Sequence, residues 1–268
     1  MSRNLDYTPE EMMTIAAARR FRNRAICFVG VGLPGTAACL ARALSAPDAI
    51  LIYESGAIGS KPRIAPLSVA DPELADTAVL ISSVPEIFSH WLQAGRIDIG
   101  FLGAAQIDRF GNINSTVIGE YDSPKVRMPG AGGAPHIAAH AREIVIMLRQ
   151  SPKAFVSRLD FLTTARCNGP TTVITDLGIL ETDHHSGELM LTSRHLGTTI
   201  EQIREATAWP LAAAELVEET PEPTIEEILA LRELNDRTRR AHKCGYSRRS
   251  SGMRSPRPRN MIGRQPRN

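Results

Sequence analysis

A chain of 268 residues can bury a full core as one α/β domain of upper-range size or as two small ones, and its 31 Lys and Arg against 29 Asp and Glu leave a net charge of only +2. No disulfide scaffold is needed at this length, and Cys27, Cys39, Cys167 and Cys244 follow neither metal-ligand nor redox spacing, which suits reduced thiols in a cytoplasmic enzyme. No apolar run approaches a membrane span, and Asp6, Glu10, Glu11, Arg19 and Arg20 interrupt the first twenty residues, unlike a signal peptide, so a soluble protein without a membrane partner is expected.

The first helix opens at Tyr7-Thr8-Pro9-Glu10-Glu11. Thr8 is an N-cap, Pro9 has φ preset for the first helical position, and the glutamates sit where the helix dipole favours negative charge. An amphipathic pattern carries this helix to about Arg22. Residues 25–29 form a short apolar strand, followed by the glycine turn Gly30-Val31-Gly32-Leu33-Pro34-Gly35-Thr36 and an apolar helix ending near Leu44. Such a loop presents backbone N–H groups at a helix N-terminus to an anion or a carbonyl oxygen. Lacking the full dinucleotide spacing, it also fits a plain tight turn.

Ile50-Leu51-Ile52-Tyr53 is continuously apolar, as expected for a buried strand of a parallel sheet. Glu54 therefore falls at a strand's C-terminal edge, where ligands bind in open α/β sheets, and Gly56 and Gly59 leave room for close approach. A loop or capping glutamate is the plain structural alternative. Residues 75–81 and 97–102 are predicted strands, with a helix over 85–94 between them. In residues 103–116, Asp108 and Gly111-Asn112 are turn formers of a hairpin, while Gln106, Asn112 and Asn114 are available to orient a carbonyl or carboxylate.

A second glycine loop, Pro129-Gly130-Ala131-Gly132-Gly133-Ala134-Pro135, precedes a helix starting near Pro135. Its dense N–H groups suit an oxyanion or phosphate cradle, with a flexible surface loop as the rival explanation. His136 and His140 have i,i+4 spacing, but no neighbouring Cys or well-placed carboxylate completes a site, and no metal is expected. Residues 143–148 form another buried strand, 153–160 a short polar helix, and 171–175, 179–180 and 189–192 an antiparallel portion turning at Asp176-Leu177-Gly178 and His185-Ser186-Gly187. Short helices follow over 200–207 and 224–234, joined by a linker at 218–223.

From Arg237 onward the chain has ten Arg, one Lys and no acid, a charge of +11, which leaves 20 bases against 29 acids and a net of −9 in residues 1–236. The sequence therefore divides into a domain over 1–236 and a basic tail over 237–268. Residues 247–268 lack apolar periodicity and are expected to be disordered. The acidic body shows no basic patch with interleaved aromatics, so a nucleic-acid partner is not expected.

The order Gly30-Val31-Gly32-Leu33-Pro34, Tyr53-Glu54-Ser55-Gly56, Gly103-Ala104-Ala105-Gln106-Ile107-Asp108 with Gly111-Asn112-Ile113-Asn114-Ser115-Thr116, and Gly130-Ala131-Gly132-Gly133-Ala134 resembles the β subunits of class I coenzyme A transferases, most closely those of glutaconate coenzyme A-transferases. The resemblance implies an α/β fold, an open and mostly parallel sheet flanked by helices, with its small antiparallel portion near residues 170–192. It implies that Glu54 is a nucleophile forming a glutamyl-CoA thioester, and that Gly30, Val31, Gly32, Asn112, Gly130, Gly132 and Gly133 form the oxyanion hole or hold the CoA or acyl group. It further implies no permanently bound cofactor, with the coenzyme A thioester and a carboxylic acid as substrates. A separate α subunit completes a hetero-oligomer, such as one of two α and two β chains. Steroid-ring-opening relatives lack the glutamate and a decarboxylating relative has cysteine there, so Glu54 favours transfer. An acyl-CoA hydrolase or lyase on the same scaffold, or a non-catalytic domain for a sugar phosphate or effector, are the alternatives.

Overall fold

The computed structural model describes residues 6–166 and 169–250, so Cys167 and the tail beyond Ser250 lie outside the described residues. Five parallel strands form the centre: β1 (Ile26–Val29), β2 (Ile50–Ile52), β5 (Ile99–Gly103), β10 (Glu143–Met147) and β11 (Thr171–Ile174), in the order β11-β10-β5-β1-β2. Beyond β2 the short antiparallel strands β3 (Ala57–Ile58) and β4 (Leu80–Ile81) end the sheet. Beyond β11 it continues antiparallel through β12 (Gly178–Thr182) and β13 (Leu189–Arg194), as expected near 170–192, and ends in β14 (Ala212–Glu219). Two small antiparallel pairs lie outside this sheet, β6 (Gln106–Ile107) with β7 (Ile113–Asn114) and β8 (Val117–Gly119) with β9 (Pro124–Arg127).

Successive strand residues point to opposite faces, and the core divides accordingly. Cys27, Val29, Leu51, Tyr53, Ile99, Phe101, Val145 and Met147 face α1 (Pro9–Ala18), α2 (Leu33–Leu44) and α7 (Ile225–Ser250). Phe28, Ile52, Leu102, Ile144 and Ile146 face the other way. That second face is covered by a segment in which α4 (Val84–Glu86) continues as a π-helical turn over Ile87–Gln93, by α5 (Ala134–His140) and by α6 (Ile200–Glu205). No helix among the described residues is long and apolar enough to cross a membrane.

Four segments differ from expectation. Of the strand expected over 75–81, only Leu80–Ile81 is one (β4), while residues 75–76 end α3 (Pro72–Asp76), because Asp71 accepts the Glu73 N–H at 3.0 Å and Pro72 is preset for a first helical turn. The stretch at 153–160 is not helical. Phe155 is wholly buried there and the chain runs against β6, with Ile107 N–H donating to Ala154 and Val156 N–H to Ile107. The expected linker is preceded by the exposed edge strand β14. Finally, α7 does not stop near Leu234 but continues to Ser250. It is held by Arg19 gripping Glu227 at 2.8 and 2.7 Å and by Arg232 gripping Glu11 at 2.7 and 3.1 Å.

Candidate active site

The alternation that sends Tyr53 into the α1/α2 face brings the chain out at Glu54 toward the face of Phe28 and α5. Tyr53 is a fully buried anchor, its hydroxyl pushed well above its ordinary pKa by burial. Its N–H donates to Ala57 O at 3.0 Å and its carbonyl accepts the Gly56 N–H at 3.1 Å, so Glu54, Ser55 and Gly56 make a tight turn. Gly56 has φ +101°, and a Cβ there would lie 2.0 Å from Ser82 O. Only glycine fits. Ser82 in turn donates its N–H to Gly56 O at 2.9 Å, clamping the turn from the β4 side.

The second glycine loop reaches the carboxylate from above. Gly130 ties the loop to residue 115: its N–H donates to Ser115 O at 3.1 Å and its carbonyl accepts the Ser115 hydroxyl at 2.9 Å. Gly133, the N-cap of α5, donates its N–H to Glu54 Oε1 at 2.9 Å. A Cβ on Gly133 would stand 2.7 Å from Phe88 Cζ and 2.9 Å from Glu54 Oε1, and one on Gly132 3.3 Å from Glu54 Oε2. Both glycines are thus what allows a backbone so close to a half-buried carboxylate.

The first glycine loop occupies the neighbouring strand end. Gly30 N–H donates to Phe101 O at 3.0 Å, which extends the β1–β5 ladder. Gly32 has φ +83° and opens α2 with no side-chain cap, so the first N–H groups of that helix lack intrahelical partners. Val31, Leu33, Pro34, Gly103, Ala104, Met147 and Arg149 help line a crevice of about 350 Å³ at the C-terminal ends of β1, β5 and β10. The chain leaves β1 toward β2 on one side and β5 toward β10 on the other, so the crevice marks the switch point at which open α/β sheets bind ligands.

The amides of the hairpin serve the fold. Asn112 Nδ2 donates to Asp108 Oδ2 at 2.9 Å while its Oδ1 accepts the Arg166 N–H at 2.9 Å. Asn114 donates to Gln106 Oε1 at 2.8 Å, and Gln106 to Asp160 Oδ2 at 3.1 Å. Of the residues singled out in the sequence, Glu54, Gly132 and Gly133 are brought into contact, and Val31 lines the crevice at the neighbouring strand end, with Gly32 next to it in the chain. Gly30, Gly130 and Asn112 have their donor groups engaged elsewhere. His136 and His140 stack at 6.2 Å, and among the described residues no group of three or more His, Cys, Asp or Glu could hold a metal ion. Two contributors carry no motif signal: Ser82, which clamps the turn, and Phe88, whose ring lies against Gly133.

A family model described as coenzyme A transferase matches residues 10–206 of this chain. The B subunit of the 3-oxoadipate CoA-transferase of Pseudomonas knackmussii is 54% identical over 250 residues, covering 88% of this chain and 96% of that protein. The B subunit of the glutaconate CoA-transferase of Acidaminococcus fermentans is 33% identical over 245 residues, covering 84% and 91%. The crystal structure of glutaconate coenzyme A-transferase from Acidaminococcus fermentans superposes with a TM-score of 0.77 at 31% identity, covering 85% of this chain and 94% of that one. The decarboxylase AibA/AibB gives a TM-score of 0.75 at 29% identity, covering 85% and 94%.

Proposed function

This chain belongs to the coenzyme A transferase family as a β subunit, and from that premise we propose that Glu54 carries coenzyme A between an acyl-CoA and a carboxylic acid as a glutamyl thioester. The Glu54 carboxylate attacks the thioester carbonyl, giving a mixed anhydride and CoA thiolate. The thiolate then attacks the glutamyl carbonyl, releasing the first acid and leaving CoA on Glu54. A second carboxylate reverses both steps and restores Glu54. Atoms balance without a resident cofactor, since the coenzyme A thioester is itself the substrate.

The observation that carries this reading is the 2.9 Å hydrogen bond from Gly133 N–H to Glu54 Oε1, made in a turn that Ser82 holds fixed. When the glutamyl carbon becomes tetrahedral, the same N–H faces the oxygen that gains charge, and one such donor is typically worth about 3 to 4 kcal/mol. Val31, Gly32 and the uncapped start of α2 are assigned to the acyl-CoA side of the crevice. Gly30, Gly130 and Asn112 buttress the two loops and the hairpin.

As acceptor we propose a 3-oxo dicarboxylic acid of the 3-oxoadipate kind, supported by the 54% identity to a transferase chain so named. A separate α chain, in the cytoplasm, completes the enzyme, consistent with relatives that are named as one subunit of an enzyme. The test is the reconstituted complex with Glu54→Ala. Transfer is expected to fall by at least about 10³-fold, on the scale of losing a covalent nucleophile, and borohydride is expected to trap the thioester at Glu54 in the unaltered protein. Unchanged turnover in the variant would sink the reading. Measuring coenzyme A release without an acceptor acid separates transfer from hydrolysis.

A further inference from the structure

Phe88 has no role in the steps above, yet its ring packs against Gly133, the residue whose N–H touches Glu54. Its segment is built to hold both sides of the nucleophile. The Ser82 backbone clamps Gly56 under Glu54, and the Ser82 hydroxyl donates to Glu86 Oε2 at 2.7 Å. Ser83 and Glu86 form a capping box that fixes the start of α4. The chain then passes into the π-helical turn at Ile87–Gln93, a rare conformation frequently seen at functional sites, anchored by the buried Ile87 and Leu92. This turn delivers the half-buried Phe88 ring to Gly133, so close that a Cβ on Gly133 would lie 2.7 Å from Cζ and 2.9 Å from Cε1. Phe28, at 6.2 Å between centroids, backs the ring from the core, and His136 meets it in a T-shaped contact at 5.5 Å.

We propose that Phe88 is a positioning residue which keeps the Gly133 N–H on Glu54 and keeps water off its carbonyl carbon, so that the glutamyl thioester lasts until a carboxylic acid accepts it. This rests on the nucleophile reading given above. The competing loss is simple: water oxygen bonds to the glutamyl carbonyl carbon, the C–S bond breaks, CoA thiolate leaves, and the water protons pass to solvent and the thiolate as the carboxylate is restored. An apolar ring packed on the donor glycine excludes the water that this reaction needs. It also fixes an N–H whose displacement by about 1 Å can cost roughly 10²-fold in rate.

The test compares Phe88→Ala and Phe88→Leu in the full complex, reading the ratio of acceptor-free coenzyme A release to acyl transfer. Phe88→Ala is expected to raise that ratio by about tenfold or more, because transfer falls through the displaced donor while water gains access. Phe88→Leu, which refills much of the space, is expected to return the ratio to within about threefold of the unaltered enzyme. An unchanged ratio in Phe88→Ala, with the thioester still trapped by borohydride at Glu54, overturns the proposal for Phe88 alone, even if kcat has fallen. Failure to trap Glu54 in the unaltered complex removes the nucleophile reading and this inference with it. Where Phe88→Ala does not assemble, Phe88→Val gives the same ratio, and no rise there overturns the inference equally.

Discussion

The two glycine loops read alike in the sequence, each a cluster of glycines ahead of an apolar helix, yet the structure uses them differently. In the first, Gly30 joins the sheet ladder by its bond to Phe101 O, and Gly32 turns the chain into α2 at φ +83° with open space where a Cβ would be. In the second, Gly133 has an ordinary φ of −85°, and it is glycine because Phe88 and Glu54 occupy the Cβ position. Gly32 needs to be glycine for backbone shape and Gly133 for closeness to a carboxylate, while Gly130 and Gly132 of the second loop also sit at positive φ, +100° and +48°. A glycine in the sequence does not tell these two needs apart.

Substitution by alanine does. Gly133→Ala leaves the backbone unstrained but forces apart the donor and the carboxylate. Turnover of the complex is expected to fall about 10² to 10³-fold, as for loss of an oxyanion donor, with a stability cost of about 1 to 3 kcal/mol from crowding Phe88. Gly32→Ala obstructs no atom but places a side chain at a φ and ψ of +83° and −132°. Its cost is expected in stability, about 1 to 3 kcal/mol, read as a lowered melting temperature, and any effect on the reaction as a raised KM for the acyl-CoA with kcat of the assembled enzyme little changed. The reverse pattern in kcat, lost in Gly32→Ala and kept in Gly133→Ala, would exchange the roles of the two glycines.

A smaller effect tests whether the hairpin belongs with the first loop or the second. Asn112→Ala removes the bond to Asp108 and the acceptor for the Arg166 N–H. About 1 to 3 kcal/mol of stability should go with them, and kcat and KM of the intact complex should stay close to the unaltered values. A collapse of kcat at unchanged melting temperature would instead make Asn112 a donor to the reaction.

The elements around Glu54 are legible in the sequence because local chemistry and tertiary context agree there. Thr8 caps α1 as its sequence suggests, accepting the Glu11 N–H at 3.1 Å, and the continuous apolar runs at β1, β2, β5 and β10 match strands buried on both faces. Residues 212–219 are not legible as β14, since Glu215, Glu218 and Glu219 lie on an exposed edge where packing imposes no alternation. Residues 153–160 carry helix-forming composition, but burial of Phe155 beside β6 decides their path. At the site, the residue types point to Glu54 and the glycines. Which N–H groups remain open depends on pairings such as Gly30 with Phe101, far apart in the chain, and Phe88 carries no pattern that separates it from a core aromatic.

The smallest effect concerns α2, the helix that the first loop starts. Cys39 on α2 and Cys27 on β1 are buried thiols pushed up to about 12 by desolvation. At pH 8 a thiol with that pKa is ionised in roughly one molecule in 10⁴, and the thiolate is the species that alkylates. Both should label slowly in the native complex, followed peptide by peptide by mass spectrometry so that Cys167 and Cys244 do not interfere. Strain at Gly32 acts at the start of α2, so Gly32→Ala should speed labelling of Cys39 a few-fold through local opening of that helix, and Cys27, inside the sheet, less. Gly133→Ala touches neither thiol and should leave both rates alone. Equal acceleration of Cys39 by the two substitutions would mean that the loops are coupled through the sheet and do not act as separate devices, one for shape and one for chemistry.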